Sequence, residues 1–252
     1  MRVWNSIPDW CERHGQLTGR SIGFVPTMGA LHRGHASLVE RCRRENQVVV
    51  VSIFVNPTQF NDPKDLERYP RTFENDLELL EKLGADEILA PNAAQVYPLG
   101  NHFRMEEACT TEIMEGVYRP GFFQGVMTVV LKLLNLAGAN RAYFGEKDYQ
   151  QLKVISEMVK DFFIPTEIVA CPTVREASGL AESSRNALLS KAGRAKAASL
   201  FCILSTAPTP AEAAALLEAQ GFRVDYVEEH WGRRFAAVHL EGVRLIDNVP
   251  LA

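Results

Sequence analysis

The chain has 252 residues, of which 46% are apolar and 23% charged, and its formal net charge is −4. This is an ordinary globular composition, and the length suits one large domain or a large domain with a smaller one. A mildly acidic chain lacks the broad basic face of a general nucleic-acid binder, so we expect no nucleic-acid partner. The most apolar stretch, Val48 to Val55, has eight residues, against the roughly 20 of a membrane helix, so we expect no membrane partner.

The cysteines and the N-terminus indicate the expected compartment. Five cysteines are spread along the chain without a C-x-x-C pair, which favours neither a disulfide framework nor a zinc site. The first residues include Asp9 and Glu12 and lack the apolar stretch of a signal peptide. We therefore expect a reducing, cytoplasmic location.

Apolar, β-branched runs alternate with helical patterns through the first two thirds of the chain. The run from Val48 to Val55 is typical of a strand that is buried on both faces of a parallel sheet. Repeated β-α-β units predict an α/β fold with a Rossmann-like, doubly wound parallel sheet. The predicted elements are strand 22–25, helix 35–45, strand 48–55, helix 73–83, strand 87–90, helix 126–136, strand 142–144, helix 149–162 and strand 166–170.

The pattern changes after about Thr173. A polar stretch leads into helical and then strand-like patterns, which predict a smaller C-terminal α+β domain. We therefore predict one domain over residues 1–173 and a second over 174–252, with a hinge near 172–186. The predicted elements of the second domain are an Ala-rich helical region 188–202, a helix 211–220 and strands 223–227, 235–240 and 244–246.

The segment 25–35, VPTMGALHRGH, joins the first predicted strand to the first predicted helix. Doubly wound sheets bind their ligands at such junctions. Gly29 and Gly34 allow the backbone to approach a ligand, and the start of the helix favours an anion. His32 and His35 are three residues apart, so on a helical turn both imidazoles point to one side and can donate hydrogen bonds to phosphoryl oxygens.

Other interpretations of the histidine pair remain open. H-x-x-H also occurs as surface or core histidines, or as half of a metal site. No third His or Cys stands at ligand spacing, which disfavours zinc, and we assign no metal-ligating residue. The strand before the pair and the flanking glycines favour a phosphate site.

Three further polar segments are candidates for ligand contacts. GEKDYQQ, residues 145–151, follows a predicted strand and begins a predicted helix. Lys147 could bind a phosphate there, and Gln151 lies one helical turn further on the same side. The alternative is that this segment is only the solvated start of a helix. SSRN, residues 183–186, offers two hydroxyls and a guanidinium that could bind a pyrophosphate; alternatively, it is a turn that caps the following helix. NPTQF, residues 56–60, ends the buried strand, and a plain turn is its alternative.

Together these segments resemble the pantothenate synthetase (pantoate-β-alanine ligase) family of HIGH-motif nucleotidyltransferases, which are related in fold to class I aminoacyl-tRNA synthetases. The motifs follow one another in the family's order over nearly the whole chain. They are VPTMGALHRGH (25–35), VVVVSIFVNPTQF (48–60), YPRTFENDLELL (69–80), RPGFFQGV (119–126), AYFGEKDYQQL (142–152), SSRN (183–186) and LIDN (245–248).

The resemblance implies a two-step reaction. ATP and pantoate give pantoyl adenylate and pyrophosphate, and β-alanine then attacks the adenylate to give pantothenate and AMP. The implied substrates are ATP, pantoate and β-alanine, with Mg²⁺ as the cofactor and a homodimer as the assembly. Residues 1–173 would bind the nucleotide and pantoate, and residues 174–252 would act as a lid.

The resemblance also implies roles for individual residues. His35 is the implied proton donor, with His32 and Lys147 as further catalytic residues on the phosphates. Gln59, Gln151 and Asn56 are the implied substrate-binding residues. Gln59 and Gln151 would bind pantoate, and Gln59 would also lie near β-alanine. The implied ATP-binding residues are Met28, Gly29, Ala30, Leu31, His32, Arg33, Gly34, His35, Gly145, Glu146, Lys147, Asp148, Val174, Glu182, Ser183, Ser184 and Arg185.

Four positions depart from the family pattern: Glu182 replaces Met or Leu, Ser178 replaces Asp, Phe122 replaces His and Gln124 replaces Arg. A carboxylate at Glu182 repels a triphosphate unless it points outward or helps to hold magnesium. The alternative function is therefore a non-catalytic or altered-specificity nucleotide-binding relative. A transferase that adenylylates a phosphate group is also possible, but would need more Arg or Lys near its acceptor.

Overall fold

The computed structural model describes residues 1–251, which form two compact units. The first unit comprises residues 1–145 and 150–171. The second comprises the short segment 146–149 and the chain from Pro172 onward. The sequence predicts a single division after residue 173, whereas the structure also groups 146–149 with the C-terminal part.

A six-stranded parallel sheet forms the centre of the first unit, in the order β1-β4-β3-β2-β5-β6. From β2 the chain winds outward to one side through β3 and β4, and later to the other side through β5 and β6. This arrangement confirms the predicted doubly wound fold, with its switch point beside β2. The strands are β1 (Arg2–Trp4), β2 (Ile22–Thr27), β3 (Val48–Ile53), β4 (Glu87–Leu89), β5 (Arg141–Gly145) and β6 (Glu167–Cys171).

Eight helices connect these strands. The first strand and the first helix are too short to show in the apolar pattern, but Ser6 accepts a hydrogen bond from Asp9 N at the helix start and Trp10 is fully buried. The eighth helix begins at Tyr149, which belongs to the second unit. The helices are α1 (Ile7–Gly15), α2 (Arg33–Glu45), α3 (Pro63–Arg68), α4 (Phe73–Lys82), α5 (Ala93–Val96), α6 (Glu115–Tyr118), α7 (Phe122–Ala137) and α8 (Tyr149–Asp161).

Close packing against β2 fixes the C-terminal end of α2 on the sheet. Residues 48–51 of the neighbouring β3 are all at most 1% exposed, as expected for a strand covered on both faces. A Cβ atom at Gly23 would lie 2.5 Å from Asn46 Nδ2 and would also overlap Cys42 Sγ. The missing side chain at position 23 therefore lets the helix approach the strand, and any larger residue would push α2 outward.

The second unit is an antiparallel sheet with three helices on it, which confirms the predicted α+β domain. The Ala-rich region 188–202 is divided: a 3₁₀ turn, residues 184–188, precedes two helices that meet at Ala198. Leu200, Leu204 and Leu217 of the helices pack against Val238 of the sheet. The elements are α9 (Lys191–Ala197), α10 (Ser199–Thr206), α11 (Pro210–Ala219), β7 (Arg223–His230), β8 (Arg233–Leu240) and β9 (Val243–Pro250).

None of the helices found in residues 1–251 has both the length and the apolar character needed to cross a bilayer.

The five cysteines are free thiols, three of them exposed. Burial raises the pKa of the Cys42 thiol to about 12, so this thiol stays protonated and is a packing residue.

We expect Gly23→Ala to lower the free energy of unfolding of the first unit by about 1–3 kcal/mol, because the added methyl overlaps α2. Urea unfolding followed by the fluorescence of Trp4 and Trp10 measures this. Gly15→Ala is the control, since a Cβ there has no atom within 4 Å. Equal stability of the two variants would contradict the close-packing argument.

Candidate active site

The turn that follows β2 has a left-handed backbone. Gly29 and Ala30 have φ angles of 77° and 51°, a region that favours glycine and is strained for alanine. Gly29 N donates to Thr27 Oγ1 at 3.1 Å. A Cβ atom at Gly29 would lie 3.0 Å from Asp76 Oδ2, so the turn has no space for a side chain at this position.

A buried carboxylate holds this turn in place. Asp76, in the first turn of α4, is 3% exposed. Its oxygens accept hydrogen bonds from Ala30 N at 2.9 Å, Leu31 N at 2.8 Å and Thr72 Oγ1 at 3.1 Å. Charge-assisted bonds of this kind are about twice as strong as neutral ones. Since the two backbone amides already donate to Asp76, any contact of residues 30 and 31 with a ligand must use other atoms.

The two predicted histidines form the start of α2. His32 is the N-cap residue: its Nδ1 accepts from Gly34 N at 3.1 Å, and His35 Nδ1 accepts from His32 N at 3.4 Å. The ring centroids are 4.1 Å apart. Because each Nδ1 accepts a backbone proton, the hydrogen-bond pattern assigns the proton of the neutral ring to Nε2. Both side chains can therefore act as Nε2–H donors toward an anion.

Asn56 and Gln59 lie in the turn after β3. Asn56 is 1% exposed; its Nδ2 donates to Gln59 Oε1 at 2.9 Å and to Gly125 O at 3.2 Å, and its Oδ1 accepts from Tyr97 OH at 2.7 Å. Both polar atoms of Asn56 are thus engaged within the protein. The bond to Gln59 Oε1 orients that amide, so that its N–H groups are the donors directed away from Asn56.

Helix α7 and the segment before it complete the surroundings of Gln59. A Cβ atom at Gly125 would lie 2.9 Å from Gln59 N, so α7 packs directly on the backbone of this turn. Arg119 donates to Gln59 O at 3.2 Å and lies 3.4 Å from the Glu115 carboxylate. The position of Gln59 therefore depends on a residue 60 positions away in sequence.

Gln150 and Gln151 at the start of α8 have different surroundings. Gln150 is buried, and its amide accepts from Glu115 N at 3.1 Å and donates to Thr110 O and Ile113 O at 2.8 Å each. It fixes the loop that leads to Arg119. Gln151, the residue predicted to bind substrate, is half-buried.

Parallel pairing brings the turns of the first unit to one edge. In the register of β2 with β3, Thr27 pairs with Ile53, so the turns 28–35 and 56–59 leave the sheet side by side. β5 pairs with the opposite side of β2 and ends at Gly145. Ligands of doubly wound sheets bind at this carboxyl edge.

The remaining predicted residues belong to the second unit. Residues 146–148 form a 3₁₀ turn in which Lys147 Nζ lies 3.4 Å from Asp148 Oδ1. The buried Asn248 donates to Glu146 O and Lys147 O, both at 2.9 Å. The backbone that carries Lys147 is therefore held by the last strand of the chain.

Val174 and residues 182–185 lie at the two ends of a hairpin. Glu182 N donates to Val174 O at 3.0 Å. Ser183 is the N-cap of the turn 184–188, since its Oγ accepts from Arg185 N at 3.3 Å. The segment SSRN is therefore a capping turn in its local structure. Its binding of a pyrophosphate stays a prediction.

Glu182 lies close enough to Arg194 to affect its titration. The pKa of Arg194 is raised, mainly by its hydrogen bonds with Glu176 and by that carboxylate's charge, and additionally by the charge of Glu182. The contribution of Glu182 is the smallest of these, and Arg194 is chiefly the partner of Glu176, to which its Nη2 donates at 2.8 Å. Among residues 1–251, no group of three or more His, Cys, Asp or Glu side chains is placed to hold a metal ion.

The comparisons with known proteins agree with this arrangement. The family model of pantoate-β-alanine ligases matches residues 2–250. This chain belongs to that family. A pantothenate synthetase of Bdellovibrio bacteriovorus is 52% identical over 92% of each chain. Another, of Legionella pneumophila, is 48% identical over the full length of both.

Solved structures of pantoate-β-alanine ligases share the fold over nearly the whole chain. The enzyme of Francisella tularensis, solved in complex with β-γ ATP and β-alanine, has a TM-score of 0.95 and 42% identity, and the match covers 99% of this chain and 97% of that one. The pantothenate synthetase of Thermus thermophilus has a TM-score of 0.92 and 43% identity, with 99% of each chain covered. The resemblance noted from the motifs is confirmed.

Sequence reasoning missed the residues that hold the site from a distance. All of them except Arg233 lie inside or at the ends of the quoted family motifs, but their partners are distant in sequence, so no local spacing indicates them. These residues are Asp76, Arg119, Gln150, Arg233 and Asn248.

We expect Asp76→Ala to destabilise the first unit by about 1–3 kcal/mol, because two partly buried amides lose their acceptor. Amide hydrogen exchange of Ala30 and Leu31 should become faster in this variant. Glu74→Ala, on the exposed side of the same helical turn, is the control and should change neither quantity. Unchanged exchange at residues 30 and 31 in Asp76→Ala would show that the carboxylate does not hold the turn.

Proposed function

We propose that this chain is a pantoate-β-alanine ligase that uses its β2–α2 turn for the phosphates of ATP. It condenses pantoate with β-alanine to pantothenate through pantoyl adenylate, releasing pyrophosphate and AMP. The observation that carries this function is the match to the family over residues 2–250. The structural feature that supports it is the pair His32 and His35, whose capping bonds leave Nε2–H as the donor of each neutral ring at the carboxyl edge of the sheet.

In the first step a carboxylate oxygen of pantoate attacks the α-phosphorus of ATP. The new P–O bond forms as the bond to the β-phosphate oxygen breaks, and pyrophosphate leaves with the electron pair. Negative charge grows on the phosphoryl oxygens, and His35 and His32 donate to it; each preorganised donor lowers the barrier by on the order of 3 kcal/mol. Lys147 adds a point charge for the leaving phosphates.

In the second step the free amine of β-alanine attacks the acyl carbon of the adenylate. The C–N bond forms, the C–O bond to AMP breaks with its electron pair going to the phosphate oxygen of AMP, and the proton that the amine loses passes to water. No covalent enzyme intermediate is needed, so catalysis consists mainly of positioning and of stabilising charge. The role of residues 174–252 as a lid that keeps water from the adenylate stays a prediction.

Pantoate binding is assigned to Gln59 and Gln151. The amide of Gln59 is oriented by Asn56, whose own polar atoms are all engaged inside the protein. We therefore assign Asn56 a positioning role behind Gln59, in place of a direct substrate contact. Residues 28–31, Gly145, Val174 and 182–185 keep their assignment to ATP as a prediction from the family resemblance.

Magnesium, the dimer and the compartment also remain proposals. Since Mg²⁺ in nucleotide enzymes is held largely by phosphates and water, an ion bound to the triphosphate fits a chain whose described residues offer no three-ligand cluster. Such an ion neutralises phosphate charge. The homodimer is proposed from the family resemblance alone. Free cysteines support a reducing cytoplasm.

The non-catalytic alternative rested on Glu182. The match to the family over residues 2–250 and the full-length similarity to pantothenate synthetases disfavour this alternative.

A pyrophosphate-exchange assay tests the function. With ATP and Mg²⁺ present, labelled pyrophosphate should enter ATP only when pantoate is added, and AMP should appear only after β-alanine is added as well. If no pyrophosphate exchange occurs in the presence of pantoate, the ligase function is rejected. Exchange without release of AMP on addition of β-alanine would restrict the chain to adenylate formation.

We expect His35→Ala to lower the pantoate-dependent exchange rate by about 100-fold to 1,000-fold, the usual effect of removing one transition-state donor. The Kd for ATP should change much less, because the charge that His35 stabilises develops only during the reaction. Calorimetry and the exchange assay measure the two quantities. His102→Ala, at an exposed histidine, is the control; a normal exchange rate in His35→Ala would exclude His35 from catalysis.

A further inference from the structure

We propose that Asn248 is a positioning residue that holds the phosphate-binding lysine, Lys147, in its working position. The inference rests on the proposed role of Lys147 in binding the ATP phosphates. It concerns only residues of the second unit, and it assigns a task to the C-terminal LIDN motif, residues 245–248, to which the family resemblance attached no role.

The contacts of Asn248 with the lysine segment are two hydrogen bonds from one amide. Nδ2 donates to Glu146 O and to Lys147 O, each at 2.9 Å. Asn248 is 1% exposed, so water does not replace these bonds readily. With both carbonyls bound by the same nitrogen, the backbone at Lys147 can neither rotate nor shift without losing a buried hydrogen bond.

Arg233 determines which way the Asn248 amide points. Its Nε donates to Asn248 Oδ1 at 2.6 Å, which turns the NH₂ group toward the two carbonyls. The same guanidinium lies 3.5 Å from the Glu146 carboxylate and 4.6 Å from the centre of the Tyr149 ring. Arg233 therefore contacts both ends of the segment 146–149, and Asn248 binds the carbonyls of Glu146 and Lys147.

The neighbouring Asp247 connects the same strand to the second predicted phosphate segment. Arg175, in the hairpin that ends at residues 182–185, donates to Asp247 Oδ2 at 2.7 Å and to Oδ1 at 2.9 Å. It also donates to Asn248 O at 3.2 Å. The end of β9 thus binds the backbone of residues 146–147 directly, and it binds the start of the hairpin through the side chain of Arg175.

Only an amide can do what position 248 requires. The side chain must donate twice, to two carbonyls, and accept once, from Arg233. Aspartate has the same shape but only accepts, so its carboxylate would face two carbonyl oxygens. Asn248→Asp therefore keeps the volume and the acceptor for Arg233, and it replaces the two donated bonds to Glu146 O and Lys147 O by a buried negative charge.

The consequence for the reaction is specific to one step. The β- and γ-phosphates leave as pyrophosphate at the end of adenylate formation, so a residue that acts through Lys147 affects ATP binding and the first step. We expect Asn248→Ala and Asn248→Asp to lower the pantoate-dependent pyrophosphate-exchange rate by on the order of 10-fold to 100-fold. The KM for ATP should rise, and the KM for β-alanine should stay within about twofold.

Val249→Ala is the matched control for a purely structural effect. Val249 follows Asn248 on the same strand but packs into the hydrophobic core of the second unit. Its truncation should lower the melting temperature and leave the exchange rate at assay temperature near that of the unchanged protein. If Val249→Ala lowers the exchange rate as much as Asn248→Ala does, position 248 is merely structural and the inference fails. If Asn248→Ala does not fold, the isosteric Asn248→Asp decides in its place.

A double-mutant cycle with Lys147→Ala tests whether Asn248 acts through the lysine. In the Lys147→Ala background, Asn248→Asp should lower the exchange rate by less than about twofold. An equal loss in both backgrounds would overturn the inference while leaving the ligase function intact. A Lys147→Ala variant with an unchanged exchange rate would remove the premise and overturn the inference as well. Absence of pantoate-dependent exchange in the unchanged protein is the separate result that rejects the proposed function.

Discussion

The hydrogen bonds of Asp76 with the β2–α2 turn are the interaction on which the rest of the site depends. The left-handed backbone of this turn suits Gly29 but is strained at Ala30, and the buried carboxylate of α4 offsets that strain through its bonds with Ala30 N and Leu31 N. The turn in this form places His32 as the N-cap of α2, where the capping bonds assign the Nδ1 atoms of both histidines to the backbone. Local geometry, imidazole tautomer and direction of the Nε2 donors therefore follow from one buried charge.

Hydrogen bonding inside the protein separates residues that can touch a ligand from residues that orient them. Asn56 has no polar atom left to offer, because Tyr97, Gly125 and Gln59 engage both its oxygen and its nitrogen. The same holds for Asn248, which lies behind Lys147 as Asn56 lies behind Gln59. In each case a buried amide both donates and accepts, and thereby fixes the backbone or the side chain of a more accessible neighbour.

The sequence alone predicted the fold class, most elements and the family, because these depend on periodic burial and on motifs that are continuous along the chain. The run at 48–55 indicated a doubly covered strand, and residues 48–51 are buried as expected. Element ends were less accurate: α7 begins at Phe122, four residues before the predicted start, since Gly121 in a left-handed conformation precedes it. The short β1 and α1 were missed because three and nine residues with few apolar positions leave little periodic signal.

By themselves, composition and motifs determined that this is an α/β protein of the pantoate-β-alanine ligase family. They also predicted three segments for the phosphates of ATP, namely a turn with two histidines, a segment with a lysine and a polar turn. Tertiary structure alone decided which groups hold these segments. It showed that Asp76 acts on a turn 46 residues away and that residues 146–149 belong with the C-terminal unit. The physical reason is that a hydrogen bond between buried groups depends on distance in space and on desolvation, and neither is encoded in the spacing of residues along the chain.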